Sequence, residues 1–310
     1  MGAVVMLVFR DMLLGLIGAV LVVALRTWRR RPAVRRAARA SMIAGASLGI
    51  LMMVATVGAS IGPFFGLPDF FTDVLVPARF VVPLVAGMLA VTVALLPRAA
   101  RRHDGASVVL ARRTLLTFAP RGGLGALGAV VAVVLALTLA AGTASRRDVD
   151  GRWREYWVDV GVMSMGTEIY GWYYSVPALA LLAALLVLVV GALAVIARPP
   201  LAADVAADTA TRRWRARHVL TLATGAVLLH LSRVLASLSG TASMEGGTST
   251  TDGWMVAYGR FAGLEGPLLV ASQLAGAVGW ACWFLVLLAA LTTVSNPPVQ
   301  AVPATDDRVR

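Results

Sequence analysis

Five polar side chains interrupt segments of this chain that are otherwise long and apolar. They are Asp11, His230, Arg233, Glu265 and Gln273. Because a charged side chain inside a membrane costs several kcal/mol, an ionisable residue in such a segment marks a candidate functional site. His230 and Arg233 are three residues apart and would share one face of a helix. Arg233 needs an anion, which Asp11 or Glu265 could supply. The sequence therefore predicts a binding cluster assembled from three separate segments.

Two kinds of role fit this cluster. One is functional: an outward-facing pocket for a polar solute, or a proton-linked switch in which His230 titrates near neutral pH. The other is structural, with an ion pair and a hydrogen-bonded histidine locking the helices together. A third possibility is that the long charged side chains simply extend toward the lipid headgroups. The residue types alone leave all three open.

Counting along the segments places the cluster in the outer half of a membrane. At a rise of about 1.5 Å per residue, Asp11 lies roughly 10–12 Å below the outer end of its helix. The same count puts Arg233 roughly 9 Å and His230 roughly 14 Å below the outer surface. Gln273 falls at about the depth of His230, and Glu265 lies at the outer rim.

Composition excludes several kinds of enzymatic chemistry. All 28 basic residues are arginine, since the chain contains no lysine. A retinal or pyridoxal Schiff base, a Walker-A lysine and a Ser–Lys dyad each require a lysine amine. Cys282 is the only cysteine, so there is no internal disulfide, and we interpret it as a small apolar helix residue. His103 and His218 lie in or beside arginine-rich loops, far from His230, so we expect no metal, haem or other cofactor.

The elements that must position the cluster are apolar segments of membrane-spanning length. With 59% hydrophobic residues and a mean hydropathy of +0.80, the 310-residue chain is too apolar for a soluble domain. A spanning helix needs about 20 mostly apolar residues. Seven segments qualify, at about 3–25, 41–61, 79–97, 122–143, 175–197, 218–239 and 264–294. We therefore predict an all-α, polytopic transmembrane helical bundle over residues 1–294 and a disordered cytoplasmic tail over 295–310.

The placement of arginine predicts the orientation of the bundle. The segments 26–39, 98–121 and 198–217 carry seven, six and five arginines, and the C-terminal tail carries two more. The opposite loops hold six arginines and ten acidic residues. The positive-inside rule therefore predicts that the N-terminus faces outward and the C-terminus inward. The net charge of +12 then reflects topology, with anionic lipid headgroups as partners of the inner loops and no nucleic acid.

Two outer loops carry aromatic residues at helical spacing. In 153–160 three aromatic residues and Val160 fall at i, i+3, i+4 and i+7, and in 254–261 three aromatic residues fall at i, i+4 and i+7. The aromatic residues are Trp153, Tyr156, Trp157, Trp254, Tyr258 and Phe261. This pattern predicts amphipathic helices at the lipid headgroups. The alternative is the aromatic belt that most membrane proteins share.

Similar helix ends suggest an internal repeat. The second, fourth and sixth segments end in runs of small residues, and Gly142-Thr143-Ala144-Ser145 is repeated as Gly240-Thr241-Ala242-Ser243. Each of these two runs is followed by Asp-Gly and then tryptophan. A tandem duplication would give one leading helix and three parallel helix hairpins of about 85–100 residues. The alternative is coincidence, since small residues end many helices.

Glycines within the helices predict close packing. Gly45 and Gly49 form a GxxxG motif, and four more glycines crowd the start of the fourth segment at 122, 123, 125 and 128. Small residues let helix backbones approach each other in lipid, where no hydrophobic effect drives association.

Together these patterns predict a multi-pass protein of a bacterial-type plasma (inner) membrane, acting in solute transport or as an accessory subunit without an enzymatic step. The alternative is a sensor or scaffold whose outer aromatic loops bind a membrane protein partner. A third hypothesis, an intramembrane enzyme acting on lipid, would require Glu168, Glu245 or His230.

Overall fold

The computed structural model describes residues 2–27, 33–61, 78–96, 117–159, 164–198, 205–250 and 253–295. Most of them lie in seven helices: α1 Gly2–Thr27, α2 Arg36–Ile61, α3 Val82–Leu95, α4 Arg121–Ala144, α5 Trp172–Ala197, α6 Val205–Ala242 and α7 Glu265–Thr292. The five helices α2, α4, α5, α6 and α7 are long and apolar enough to cross a membrane. Helix α3 is apolar but has only 14 residues. The chain is thus a mostly helical membrane protein, and the predicted tail lies outside the described residues from 296 onward.

Helix α6 forms the centre of the bundle. It packs against α2, α3, α4, α5 and α7, whereas α1 packs mainly on α7. Its apolar stretch is 72% buried, compared with 22% for that of α4. The helix begins at Val205, so the prediction of a loop over 198–217 is wrong for its second half. Alanine and arginine favour helix there, and Arg212 pairs with Asp208 one turn earlier at 2.6 Å.

Trp283 on α7 joins this helix to both α6 and α2. The side chain is fully buried, and its indole N–H donates to the backbone carbonyl of Leu222 at 3.0 Å. A Cβ atom at Gly225 would lie 2.5 Å from Trp283 Cδ1, and one at Gly49 would lie 2.9 Å from Trp283 Cζ3. Glycine at both positions therefore makes room for the indole between α2 and α6.

The packing predicted from glycine is found in α2 but not along most of α4. A Cβ atom at Gly45 would lie 2.4 Å from the Ala90 carbonyl oxygen, so α2 and α3 are in close contact there. Within the described part of the chain, Gly122, Gly125 and Gly128 instead face open space. Helix α4 therefore meets the rest of the bundle along a narrow face.

Arginines cap the helices that end at the arginine-rich end of the bundle. Arg39 donates to the Leu291 carbonyl in the last turn of α7 at 2.9 Å. Arg215 donates to the Ala94 carbonyl in the last turn of α3 at 3.2 Å. Arg212 donates to backbone carbonyls at the end of α5. These guanidinium groups satisfy carbonyls that lack partners within the helix and complement the negative end of its dipole.

Short strands lie between the helices. At the arginine-rich end, β1 Ala33–Val34 pairs in parallel with β7 Val294–Ser295. At the opposite end, β2 Arg146–Arg147, β3 Trp153–Asp159 and β4 Ser164–Glu168 form an antiparallel sheet between α4 and α5. Also at that end, β5 Glu245–Thr250 and β6 Gly253–Tyr258 form an antiparallel pair between α6 and α7. The bundle is therefore mostly rather than entirely helical.

The amphipathic helices predicted in the aromatic loops are therefore wrong. Trp153 and Trp157 are four residues apart, a spacing that shares a face in a strand as well as in a helix. Tyr156 distinguishes the two, because it would join that face in a helix but points away from it in a strand. In the structure Tyr156 is buried, whereas Trp153 and Trp157 are exposed, as strand alternation requires.

We expect Gly225→Ala to destabilise the protein by about 1–3 kcal/mol, because the added methyl group would overlap the Trp283 indole. The matched control is Gly128→Ala, which places a methyl group in open space in another spanning helix and should be neutral or slightly stabilising. Thermal unfolding of both variants in detergent measures the difference. Equal melting temperatures for the two variants would contradict the role given to Trp283.

Candidate functional site

Asp11 is positioned by the contact of α1 with α7. A Cβ atom at Gly15 would lie 2.6 Å from the Cβ of Trp280, so the two helices touch one turn below Asp11. The Asp11 carboxylate in turn lies against Gly276, where an added Cβ would be 2.9 Å from Oδ2. Its other oxygen accepts hydrogen bonds from Arg10 at 3.4 Å. The carboxylate is therefore already neutralised by its neighbour in sequence.

Arg233 lies on α6 with Asp11 and Arg79 as its charged neighbours. Neither Asp11 nor Glu265 forms a salt bridge with it in the described part of the chain, so the direct ion pair predicted from the sequence is absent there. Arg79 is itself paired with Glu168 at 3.0 Å. Arg233 keeps accessible surface, although protein atoms surround its guanidinium group and α6 is the most buried of the spanning helices. Asp11 and Glu168 are each paired with another arginine, so neither carboxylate compensates the charge of Arg233.

Two serine hydroxyls lie in the seam between α6 and α7, and one of them belongs to Ser232, the residue before Arg233. The Ser272 hydroxyl donates to the backbone carbonyl of Ser232 at 2.9 Å, and the two hydroxyl oxygens are 3.5 Å apart. Ser232 Oγ would also lie 3.0 Å from a Cβ atom at Gly276, so it is close to the Asp11 carboxylate. Gln273, next to Ser272, is half-buried. This seam therefore holds neutral hydrogen-bonding groups one residue before Arg233 along α6.

His230 belongs to a different environment from the one predicted. Its ring is buried, and Nδ1 is 2.7 Å from the backbone carbonyl oxygen of Phe80. A carbonyl only accepts, so Nδ1 carries the proton and Nε2 of the neutral ring is an acceptor. The Tyr170 ring lies edge-on to the imidazole, with ring centroids 6.1 Å apart. His230 thus ties α6 to the start of α3 and is not grouped with Asp11.

Glu265 also stands apart from the cluster. Its side chain is exposed at the start of α7, and its backbone carbonyl accepts a hydrogen bond from Ser239 at 2.9 Å. Of the five residues, the structure therefore brings together Asp11 and Arg233, with Gln273 nearby on α7. It leaves His230 packed inside the bundle and Glu265 at its rim.

A charged network at the strand-rich end was not recognised in the sequence. Glu168, the last residue of β4, accepts hydrogen bonds from Arg79 and from the Tyr174 hydroxyl. Arg79 also lies over the Phe80 ring, with its guanidinium carbon 4.8 Å from the ring centroid. Glu168 is 89 positions from Arg79 in sequence, so no local pattern could indicate this pair.

Glu168 also borders an open cleft of about 380 Å³ on the three-stranded sheet. Its lining residues are Arg154, Glu155, Trp157, Gly166, Thr167 and Glu168. Glu245, the other carboxylate that an enzymatic step would have used, pairs across the β5–β6 strands with Tyr258. Glu168, Glu245 and His230 thus lie on three different elements of the structure.

A buried aspartate holds the turn between β2 and β3. Asp148 Oδ1 accepts the backbone N–H groups of Asp150 and Arg152, each at 2.8 Å, and Oδ2 accepts from Arg154. Burial acts to raise the pKa of Asp148. The hydrogen bonds from Arg152, Arg154 and Asp150 outweigh it and lower the pKa below its ordinary value of 3.8.

Comparison of the chain with protein-family models, with curated proteins and with solved structures finds no match.

We expect Asp148→Asn to loosen the β2–β3 turn, because an amide oxygen is a weaker acceptor than a carboxylate. Hydrogen exchange should accelerate at the backbone N–H groups of Asp150 and Arg152, while Asp150→Asn, which alters an exposed side chain, should leave exchange at Arg152 unchanged. In the wild-type protein the protection should persist above pH 3.8 and be lost as the pH falls through the lower folded-state pKa. Unchanged exchange in Asp148→Asn would refute this role.

Proposed function

We propose that this chain is a seven-span plasma-membrane protein that binds an anionic solute in a crevice around Arg233 and takes part in moving it across the membrane. No enzymatic step is part of the proposal. The observation that carries it is the exposed, unpaired Arg233 on the helix that is otherwise the most buried. The solute is a carboxylate or a phosphate compound small enough to enter between the helices.

Charge is the reason for an anionic ligand. A guanidinium group at membrane depth requires compensation, and its planar fork matches a carboxylate or phosphate. Asp11 is engaged by Arg10, and Arg79 is opposed by Glu168. An incoming anion would supply the missing charge, and the Ser232 and Ser272 hydroxyls could hydrogen-bond its remaining oxygens.

An open strip along α6 supports access from the strand-rich end. Ala236 and Gly240 are exposed like Arg233, three and seven residues further along the helix. These positions share one helix face, and their small side chains leave space above the guanidinium group. A solute could therefore reach Arg233 from the end at which the sequence predicts the outer surface.

The arginine-capped helix ends support the proposed topology of seven spans with the N-terminus outside. Arg39, Arg212 and Arg215 place their charge where α3, α5 and α7 end. Arg213 and Arg217 are exposed one turn apart on α6 near the same end. We infer that this end faces the cytoplasm and that its exposed arginines contact anionic lipid headgroups.

The first helices of two hairpins, α4 and α6, end alike, which supports a tandem duplication as part of the proposal. The Ser145 hydroxyl donates to the Gly142 carbonyl at 2.7 Å, and the Ser243 hydroxyl donates to the Gly240 carbonyl at 2.9 Å. In both cases strands follow, with a glycine at positive φ just before the tryptophan: φ is 77° at Gly151 and 122° at Gly253. The α4–α5 and α6–α7 hairpins thus share a serine hydrogen bond at the helix end and a glycine at positive φ, in addition to the similar sequence.

A second candidate function is that of an accessory or sensor subunit. It is favoured by the exposed faces of the strands, where Trp254 is 71% and Tyr258 60% exposed and Trp157 is also accessible. Exposed aromatic residues are enriched at protein–protein interfaces. Loss of partner binding without loss of anion binding on replacement of Trp254 would favour this candidate.

We expect sodium phosphate or a sodium carboxylate to raise the melting temperature of the purified protein by a few degrees relative to sodium chloride at equal ionic strength. Arg233→Gln should abolish this shift, and Arg233→Lys should weaken it, because an ammonium group lacks the bidentate fork. The stabilising anion, supplied as a radiolabelled salt, should enter vesicles that contain the wild-type protein and not those with Arg233→Gln.

The control is Arg213→Gln, which removes an exposed arginine at the opposite end and should retain the full anion response. The proposal fails if no anion stabilises the wild-type protein. It also fails if Arg233→Gln responds as the wild type does.

The topology has its own test. A reporter that is active only in the cytoplasm should be active when fused after Arg310, because the arginine-rich segments are retained inside. A reporter that is active only outside should be active when inserted near Gly246, in β5. The reverse pattern would refute the N-out orientation and leave anion binding at Arg233 to be judged separately.

A further inference from the structure

Two buried hydroxyl groups beneath the three-stranded sheet lack hydrogen-bond partners in the described part of the chain. One is Thr138 Oγ1, near the end of α4, and the other is Tyr170 Oη, two residues before α5. Both side chains are 0% exposed. Buried polar atoms without a partner are rare in native proteins, so each requires an explanation such as an ordered water molecule.

The two hydroxyls are close neighbours. The Thr138 hydroxyl lies near enough to interact weakly with the Tyr170 phenol, but the two groups form no hydrogen bond of normal distance and angle in the described part of the chain. The Tyr170 ring packs against Phe80, with ring centroids 4.7 Å apart, and lies edge-on to His230. The site is therefore enclosed by α4, α6, the turn before α3 and the segment that leads into α5.

Each group at this site has unused hydrogen-bonding capacity. A threonine in a helix commonly donates to the carbonyl four residues earlier, as Thr143 does to Leu139 at 2.9 Å, yet Thr138 does not. Burial raises the pKa of Tyr170, so its hydroxyl remains protonated and can both donate and accept. His230 uses Nδ1 for the Phe80 carbonyl and retains Nε2 as an acceptor.

We propose that a water molecule is bound at this site and bridges Thr138, Tyr170 and the imidazole of His230. Water fits because it donates and accepts and typically makes about three hydrogen bonds when buried. A charged ligand does not fit, because none of these three groups carries a charge in the state described. A larger ligand does not fit either, because the Phe80 and Tyr170 rings are in contact.

The bound water gives α4 a polar attachment to the centre of the bundle. Helix α4 has the least buried apolar stretch of the five helices that are long and apolar enough to cross a membrane, so polar contacts add to a narrow packing face. A bridge of hydrogen bonds inside the membrane is favourable because lipid offers no alternative partner. The site lies on the His230 side of α6 and is independent of the proposed solute crevice at Arg233.

X-ray radiolysis in ¹⁸O-labelled water tests this inference on the wild-type protein, because radicals formed from a bound water oxidise the side chain beside it. We expect Tyr170 to be labelled despite its burial, severalfold faster than a buried side chain that no water contacts, because the bound water lies against it. Trp283 is the internal control: it is equally buried, but its N–H is satisfied by the Leu222 carbonyl. Tyr173, which is 39% exposed, marks the rate for an accessible tyrosine.

Labelling of Tyr170 at the rate of Trp283 would overturn the proposal, and so would labelling that survives Thr138→Val unchanged. If the water is present, Thr138→Val should remove most of the Tyr170 label, whereas Thr143→Val, an exposed change in the same helix, should not. The melting temperature provides a second readout. Tyr170→Phe should lower it by several degrees, while Tyr173→Phe should leave it unchanged. Should Thr138→Val fail to fold, the contrast of Tyr170 with Trp283 in the wild type still decides the question.

Discussion

The fit of the Trp283 indole between two glycines is the contact on which the rest of the bundle depends. It sets the distance between α6 and α7 and the register in which the residues of the two helices face each other. Gly276, Gly279 and Trp283 recur at i, i+3 and i+7 on α7, so fixing the indole also fixes where Gly276 faces α6. Asp11 and Ser232 both lie against Gly276. The packing of Trp283 therefore also determines that these two polar side chains come close together at Gly276.

Arginine has two separate roles in this architecture, and the difference is set by what surrounds each guanidinium group. At one end of the bundle, Arg39 and Arg215 donate to helix C-terminal carbonyls, so their charge stabilises these helix ends. At the other end, Arg79 and Arg154 have carboxylate partners in Glu168 and Asp148. Arg233 shares neither arrangement, which is why it is the residue we associate with a ligand.

Helix α6 separates two polar environments with different physical character. On the side of α1 and α7, Arg233 carries a charge without a salt-bridge partner in the described part of the chain, and two serine hydroxyls lie in the neighbouring α6–α7 seam. On the side of α3 and α4, His230 and Tyr170 are closed off by aromatic packing and hold only neutral groups in the state described. An anion that entered on one side would meet a helix whose other side is anchored by hydrogen bonds. The proposed crevice therefore lies on the most buried of the spanning helices.

Several features of the fold follow from the sequence because they depend on local composition. Hydropathy alone places helices where α1 to α7 are found, and the GxxxG motif at Gly45 and Gly49 marks a face that packs closely. Local composition could not separate a strand from a helix at Trp153 and Trp157, since a spacing of four residues fits both periods. Nor could it show that Gly122 and Gly128 face open space, because the same small residue serves a packed or an unpacked helix face.

The sequence predicted some of the residues of the polar site but not which groups they contact. Asp11 and Arg233 stand out in the sequence because charge within an apolar segment is costly wherever the helix goes. Which group each of them meets across the bundle depends on helix rotation and register, and only the tertiary contacts decide those: they place Asp11 against Gly276 and His230 against the Phe80 carbonyl. The sequence thus determined which apolar helices carry charged or polar residues, because these residue types stand out in an apolar segment wherever the helix goes. The packing of glycine against Trp283 and Asp11 determined their partners, because close packing admits one register between two helices.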